Sequence, residues 1–381
     1  MQQTLFPRLL PASMAGFALC GVALAQPTPD GIGFQGAATP IAEEVHFFHN
    51  IILMPIITVV TLFVLALLIW VVLRYNSKAN PVARQFSHNT LVEVLWTGIP
   101  ILILLFISLF SFDLLFKADV IPDGKARTYA AKGTDYVFAN DFNDGRQIRR
   151  KGHIEVYKID SANMMGRLSS DQYTLAGLGD SHVTVSLAQA PVTGERIRIV
   201  GGRSRAGVEP FLGLFGEDRS EIILAPTITI KAIGRQWGWD YQYPDFGDFE
   251  INANLKAKDQ LAEGELWLLQ ADNNIIVPTG EVVRMIVTAT DVLHSWSMPA
   301  FAVKIDAVPG RLNETWFKAP KPGMYYGQCS EICGKDHAYM PISLQVVTRA
   351  EFEAFVDAER LTAGLEPMFT PDETERLAAA K

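Results

Sequence analysis

The stretch HSWSMPAFAVKIDAVPGRLNETWFKAPKPGMYYGQCSEICGKDHAYMP, residues 294–341, decides how the rest of the chain is read. It opens on His294 and closes on Cys329, Cys333, His337 and Met340, spaced C-x3-C-x3-H-x2-M. Two thiols and two imidazoles are soft and borderline ligands, which suit copper or zinc and do not suit calcium or magnesium. A structural zinc site has no use for a thioether, whereas a weak, long methionine bond is a copper feature. A mononuclear blue-copper site takes one cysteine, so this set carries one thiolate too many. The surplus fits two copper ions bridged by two sulfurs. Each ion then has one histidine and one weak axial donor, Met340 on one side and a backbone carbonyl of the Cys329 to Cys333 loop on the other. Such a pair shares one unpaired electron, and a rigid loop lets it change charge with little rearrangement. The expectation is an electron relay.

Four elements occur in one order: QWGWDYQY (Gln236 to Tyr243), DVLHSW (Asp291 to Trp296), DAVPGRLN (Asp306 to Asn313) and GQCSEICGKDHAYMPI (Gly327 to Ile342). On them the chain resembles subunit II of haem-copper cytochrome c oxidase, which carries the dinuclear copper (CuA) centre. The resemblance implies copper ligands at His294, Cys329, the Glu331 backbone carbonyl, Cys333, His337 and Met340. It also implies that the Glu331 side chain reaches a magnesium ion shared with subunit I, near Lys304 and Asp306. A carboxylate is a hard ligand suited to magnesium, but one carboxylate does not make a site, so the others come from a partner chain.

The resemblance further makes Trp237 the residue that takes electrons from cytochrome c. Spacing alone reads Trp237, Trp239, Tyr241 and Tyr243 as strand packing. Gly238 stands where an aromatic is usual in the family, and Arg235 where a histidine is. Asp248 and Asp291 match docking positions for a basic cytochrome c, with Asp240, Asp245 and Glu250 as neighbours and Gln242 where an acid is common; each acid alone is an ordinary surface charge. Glu93 matches a glutamate at the mouth of a proton-uptake path in subunit I, although by itself it reads as a helix-start carboxylate. The implied function is cytochrome-c oxidase activity as part of a complex. This chain passes electrons one at a time from cytochrome c to haem in subunit I, where oxygen is reduced to water and protons are pumped. The implied partners are subunits I and III and cytochrome c. The alternative is a copper storage or delivery protein of the membrane surface, which would have labile ligands and no use for Trp237, Glu93 or a membrane anchor. A structural subunit of a quinol oxidase would lack the cysteines and histidines, and nitrous oxide reductase has a similar copper domain without the two spans.

The 381-residue chain is 49% hydrophobic with a formal net charge of -8, which argues against a nucleic-acid partner and allows a basic one. Residues 1–25 read as a secretory signal: Arg8, an apolar run from Met14 to Leu24, and Ala23-Leu24-Ala25 before Gln26. A lipoprotein signal at Cys20 is disfavoured by the large Leu19. Of three cysteines, Cys329 and Cys333 remain in the mature chain, and no C-x-x-C-H attaches a haem. Ile51 to Leu73 and Val94 to Phe112 are apolar runs long enough to cross a bilayer, the first with Pro55 in its first turns, and residues 26–118 form a transmembrane hairpin. Arg74, Lys78 and Arg84 between the spans place that loop in the cytoplasm and everything after Lys117 outside. This corresponds to the inner (cell) membrane of a bacterium, with the copper domain periplasmic.

The expected fold is a membrane-anchored all-β protein, a two-helix hairpin followed by a cupredoxin-like Greek-key β-barrel at residues 226–348. That barrel brings His294 to the ligand loop at one end. Residues 349–381 form a terminal helix and tail. Residues 119–225 are an insertion that the resemblance does not cover. Period-two runs at His153 to Ile159, His182 to Leu187 and Arg196 to Val200, with turns at Asn143-Asp144-Gly145 and Gly201-Gly202, read as a small β-rich domain of unknown role. His153 and His182 have no ligand neighbours in sequence and read as ordinary surface histidines. The basic cluster Arg146, Arg149, Arg150 and Lys151 is a solvated face, or one that touches another subunit or lipid head groups.

Overall fold

The computed structural model describes residues 27–28, 31–82, 88–140, 142, 147–207 and 220–369. The signal sequence with Cys20, the loop arginine Arg84, the Asn143-Asp144-Gly145 turn, Arg146 and the tail past Phe369 lie outside the described residues.

The chain begins with two long helical runs. Thr39 caps α1 (Pro40–Phe47) through its side chain, which accepts from the Ala42 N–H. This helix passes through a π-helical turn (Phe48–Leu53) straight into α2 (Met54–Arg74). Pro55 has no N–H to offer the Ile51 carbonyl, and the Met54 N–H reaches back to the His49 carbonyl, so the ladder widens by one residue just before the proline. The helical run therefore starts at Pro40, well outside the apolar stretch that began at Ile51 in the sequence. Hydropathy marks only the lipid-facing part, whereas α1 buries Ile41 and Ala42 against protein. The second helix, α3 (Thr90–Asp119), likewise overruns its apolar segment at both ends. Neither α2 nor α3 buries a side chain, and Leu68, Trp70, Leu102 and Leu105 are among many exposed apolar groups. That surface suits a bilayer in place of water.

The segment after α3 is β-rich. Strands β1 (Lys125–Ala130), β2 (Asp135–Ala139), β3 (Ile154–Ile159), β4 (Met165–Arg167), β5 (Tyr173–Ala176), β6 (His182–Leu187) and β7 (Arg196–Gly201) form a four-stranded sheet, β1-β7-β3-β4, and a three-stranded sheet, β2-β6-β5. Alternate residues point inward: Phe138, Val156, Val183, Val185, Ile197 and Ile199 build one core. The short pair β8 (Arg205–Ala206) and β9 (Glu221–Ile222) completes the insertion.

Ten strands follow: β10 (Ile228–Arg235), β11 (Gly238–Tyr243), β12 (Phe249–Ala253), β13 (Ile275–Pro278), β14 (Val282–Ala289), β15 (His294–Met298), β16 (Val303–Ala307), β17 (Asn313–Lys318), β18 (Gly323–Cys329) and β19 (Pro341–Val347). They form two five-stranded sheets, β12-β11-β10-β14-β17 and β13-β19-β18-β15-β16. Both are mixed, because β10 runs parallel to β14 and β13 parallel to β19. Strand β10 alternates buried and half-buried residues along its length, as a strand with one face on a core does. Between the sheets lies one apolar core that includes Ile230, Trp239, Met285, Trp296, Phe301 and Leu344. The chain is thus two N-terminal apolar helices followed by a mostly β protein with a cupredoxin-like domain. Helix α4 (Arg349–Thr362) closes the domain by burying Phe352 and Val356, and a reciprocal Thr348–Glu351 capping box starts it.

Membrane helix and β-domain are joined at two points. The Ala38 N–H donates to the Ala300 carbonyl at 2.8 Å and the Thr39 hydroxyl to the Phe301 carbonyl at 2.9 Å. Glu44, on α1, accepts from Lys117 of α3 at 3.2 Å and from the Gly207 N–H at 2.6 Å.

Candidate metal centre

Strand β18 ends at Cys329, β15 begins at His294, and the loop from Ser330 to Met340 lies over that end of the sandwich. Strands β15 and β18 pair with Trp296 opposite Cys329, which brings His294 beside the cysteine across a separation of 35 residues. The Cys329 N–H donates to the Met340 carbonyl at 3.0 Å, closing the loop back on the strand. His294 and Met340 are fully buried, Cys329 and Cys333 nearly so, and His337 is half-buried in a single 3-10 turn.

The two sulfurs are 3.9 Å apart, far beyond a disulfide bond. Each faces an imidazole nitrogen: Cys329 Sγ is 3.9 Å from His294 Nδ1, and Cys333 Sγ is 3.5 Å from His337 Nδ1. The Glu331 carbonyl oxygen lies 3.3 Å from Cys329 Sγ. His294, Cys329 and Cys333 form a group of potential metal ligands whose donor atoms lie within 4.8 Å of one another. The sequence-predicted set is therefore gathered in one place, with Met340 buried in the same core cluster as both cysteines. Two sulfurs, each with its own imidazole nitrogen, and a buried methionine whose backbone carbonyl accepts from Cys329, fit a soft metal and match the composition expected for a copper pair.

The thiols do not ionise alike. Burial pushes Cys329 up, but hydrogen bonds from His294 and the backbone at Glu331 and Ser295 more than reverse this and hold it below the ordinary thiol range. Burial, then the charge of Cys329, pushes Cys333 up. A second thiolate beside the first is held off by repulsion that a bound cation would relieve.

Around the ligands sits a shell that sequence reasoning largely missed. Asp291 Oδ1 accepts from His294 Nε2 at 2.9 Å and from the Val292 N–H at 2.7 Å, while Oδ2 accepts from the Gln236 N–H at 2.7 Å. This carboxylate fixes the ring so that Nδ1 faces the sulfur, the arrangement commonly used to orient a metal-binding histidine. Gln236 Nε2 donates to the Cys333 carbonyl at 2.7 Å, and Trp237 Nε1 donates to the same oxygen at 3.3 Å. Gly334 has φ of +126°, and a Cβ there would come within 3.0 Å of the Trp237 ring. On β10, a Cβ on Gly234 would lie 2.9 Å from the His294 ring, so this glycine makes the room that the imidazole occupies. The D-x-x-H spacing of Asp291 and His294 was the one sequence signal for this shell.

Other predicted residues lie elsewhere. Trp237 is half-buried beside the ligand loop, with the Lys335 ammonium 5.6 Å from its ring centre. Asp248, at a φ of 58°, is exposed past the far end of β11, a strand away from the ligands. Asp240 is held by Arg235 at 2.8 Å. Glu93 is in the first turn of α3 at the other end of the anchor, where it accepts from the Asn89 N–H at 3.2 Å. In the insertion, His153 is half-buried and His182 is exposed beside Ser181, and neither belongs to a ligand group among the described residues.

The chain's similarities agree with this architecture. The family "Cytochrome C oxidase subunit II, periplasmic domain" matches residues 228–347, and "Cytochrome C oxidase subunit II, transmembrane domain" matches residues 27–114. A probable cytochrome c oxidase subunit 2 of Rickettsia bellii is 32% identical over 338 residues, 89% of this chain and 87% of that one. Cytochrome c oxidase subunit 2 of Zea mays is 30% identical over 354 residues, 92% of this chain and 95% of that one. Among solved structures, the periplasmic domain of subunit II of cytochrome oxidase of Bradyrhizobium japonicum is 51% identical and covers 37% of this chain and 98% of that one, with a TM-score of 0.34.

Proposed function

The chain belongs to the cytochrome c oxidase subunit II family, and from that premise we propose that it is the subunit through which electrons from cytochrome c reach a haem-copper oxidase complex. The observation that carries this reading is the pair of buried thiols, each facing its own imidazole nitrogen, beneath a half-buried tryptophan hydrogen-bonded to the same loop. Cys329, Cys333, His294, His337, Met340 and the Glu331 carbonyl would hold the dinuclear copper centre. When bound, that centre supplies a one-electron carrier at nearly constant geometry.

The chain's own part is to hold and insulate. Strands β15 and β18 fix His294 and Cys329 from two directions, and burial keeps water from the sulfurs. Asp291 keeps the proton of His294 on Nε2, leaving the Nδ1 lone pair to bind a metal. Gln236 and Trp237 clamp the Cys333 carbonyl, so the indole is linked by a hydrogen bond to the ligand loop and presents its other edge to a docked donor. In this reading the Glu331 carboxylate reaches a magnesium ion shared with subunit I, and Glu93 lies at the mouth of a proton-uptake path. Asp248 and Asp291 contribute to the docking of cytochrome c. The complex sits in a bacterial inner membrane with subunits I and III, and the copper domain faces the periplasm. Oxygen reduction takes place on subunit I.

Copper stoichiometry together with the electron paramagnetic resonance spectrum of the loaded full chain tests this directly. Two coppers per chain with one electron delocalised over both nuclei is the expected result. One copper with a localised spectrum, or preferential zinc, overturns the dinuclear reading.

A further inference from the structure

A cleft of about 710 Å³ opens where the insertion meets the outer end of α3. Its floor is the last turn of the span and the residue after it, with Phe116 and Val120 both exposed and continuous with the apolar surface below. Its walls carry Lys117, Arg150, His153, Arg203 and Arg205. Asp113 and Asp123 are the carboxylates among the lining residues, and they pair with Lys117 and Arg203. Behind the wall, the buried Glu155 serves two guanidiniums, Arg167 and Arg205, each at 3.0 Å. Among the described residues, Lys117, Arg150, Arg167, Arg203 and Arg205 thus line or back this wall, with Asp113, Asp123, Glu44 and Glu155 set among them. Among the described residues Arg150 has no ion-pair partner. His153 lies among these cations: burial, then Arg150, Arg205 and Arg203, hold its imidazole below the ordinary value, with Asp123 opposing.

The cleft thus joins an apolar floor at the level of the membrane surface to a cationic wall just above it. We propose that it binds the phosphate head group of an anionic phospholipid of the outer leaflet, whose acyl chains lie along Phe116 and the α3 surface. Guanidinium groups match phosphate oxygens in geometry and charge. A lipid held there would tie the insertion to the bilayer beside the span, and this inference rests on the two spans and not on the redox reading.

The test uses the full chain in nanodiscs of zwitterionic phosphatidylcholine with graded phosphatidylglycerol, and counts retained lipid by native mass spectrometry for the wild type and Arg150→Glu. Attraction near a charged surface weakens by about fivefold per unit charge removed, so the reversal weakens retention of one phosphatidylglycerol by roughly 25-fold. Phosphatidylcholine retention and copper content stay unchanged, the latter reporting that the variant folds. Equal retention of phosphatidylglycerol by the two chains overturns the proposal. Inorganic phosphate bound by the wild type without any preference for phosphatidylglycerol overturns it too, because the cleft then serves a soluble anion.

Discussion

Replacing Asp291 with asparagine separates two roles for that residue. As a docking charge it would act on an incoming protein. In the structure its carboxylate accepts three hydrogen bonds, from His294 Nε2, Val292 N and Gln236 N, at 2.7 to 2.9 Å. Asparagine has one oxygen. If that oxygen stays with His294 and Val292, the amide nitrogen meets the Gln236 N–H, donor against donor; if it turns to Gln236, the imidazole proton is orphaned. Either way a partly buried donor is left unsatisfied, at a cost of about 1 to 3 kcal/mol, which corresponds to the roughly tenfold to hundredfold loss of metal affinity typical when the partner of a ligating histidine is removed. The expected result is that the copper-loaded full chain loses copper to a competing chelator at roughly tenfold to hundredfold lower chelator concentration than the wild type. Its spectrum should change as well, because the His294 ring is no longer fixed. Unchanged copper retention and spectrum, with a flatter salt dependence of turnover, would refute this reasoning and leave Asp291 as a surface docking charge.

Trp237→Phe keeps an aromatic ring but removes the donor to the Cys333 carbonyl, so electron uptake from cytochrome c should slow at least tenfold while copper content holds; normal uptake sinks the assignment of Trp237. Asp248→Lys should leave the copper spectrum alone, raise KM for a basic cytochrome c and flatten its dependence on ionic strength; an unaltered salt profile removes Asp248 from the docking surface. Gly334→Ala forces a Cβ to within 3.0 Å of Trp237 at a φ that side chains disfavour, and should cost about 1 to 3 kcal/mol in thermal unfolding of the loaded chain. Thr348→Ala should cost about 1 kcal/mol at pH 7 by uncapping α4. Hydrogen bonds from Thr348 hold the Glu351 carboxyl below its usual value, so this contribution is present above the ordinary glutamate pKa and is lost as pH falls through the depressed one. The penalty of the substitution should shrink in the same direction, and a penalty that grows on acidification contradicts the cap.

The ligand loop was legible because its chemistry is local: two cysteines, a histidine and a methionine lie within twelve residues, and copper chemistry explains that set with few rivals. His294 was legible as the second imidazole that the chemistry needs, and the resemblance supported it, although nothing in its own neighbourhood says that β15 pairs with β18. The strands of the insertion could be read from period two, and β6 falls at His182–Leu187 as its pattern implied. Gln236 and Gly234 escaped notice because a glutamine that clamps a carbonyl and a glycine that clears space for a ring carry no pattern along the chain; their meaning exists only once β10 and the loop are side by side. Asp291 was seen as a charge, and only its D-x-x-H spacing to His294 hinted at its inward hydrogen bonds. The helical run from Pro40 extended past the hydropathy signal because α1 packs on protein, where amphipathic residues serve as well as apolar ones.

The hydrogen bonds from Ala38 and Thr39 to Ala300 and Phe301, beside the packing of Leu114 and Ala118 of α3 on Trp316, mean that membrane and copper domain are connected by two kinds of path. One is covalent and runs through the whole insertion. The other is short and direct, from the top of the first helix to the turn between β15 and β16. In mechanical terms the insertion is mounted in parallel with a stiff strut and does not act as a link in series. The height of the ligand loop above the bilayer is then set by the strut, and the insertion could lengthen or shorten without moving the electron-transfer site relative to its neighbours in the membrane.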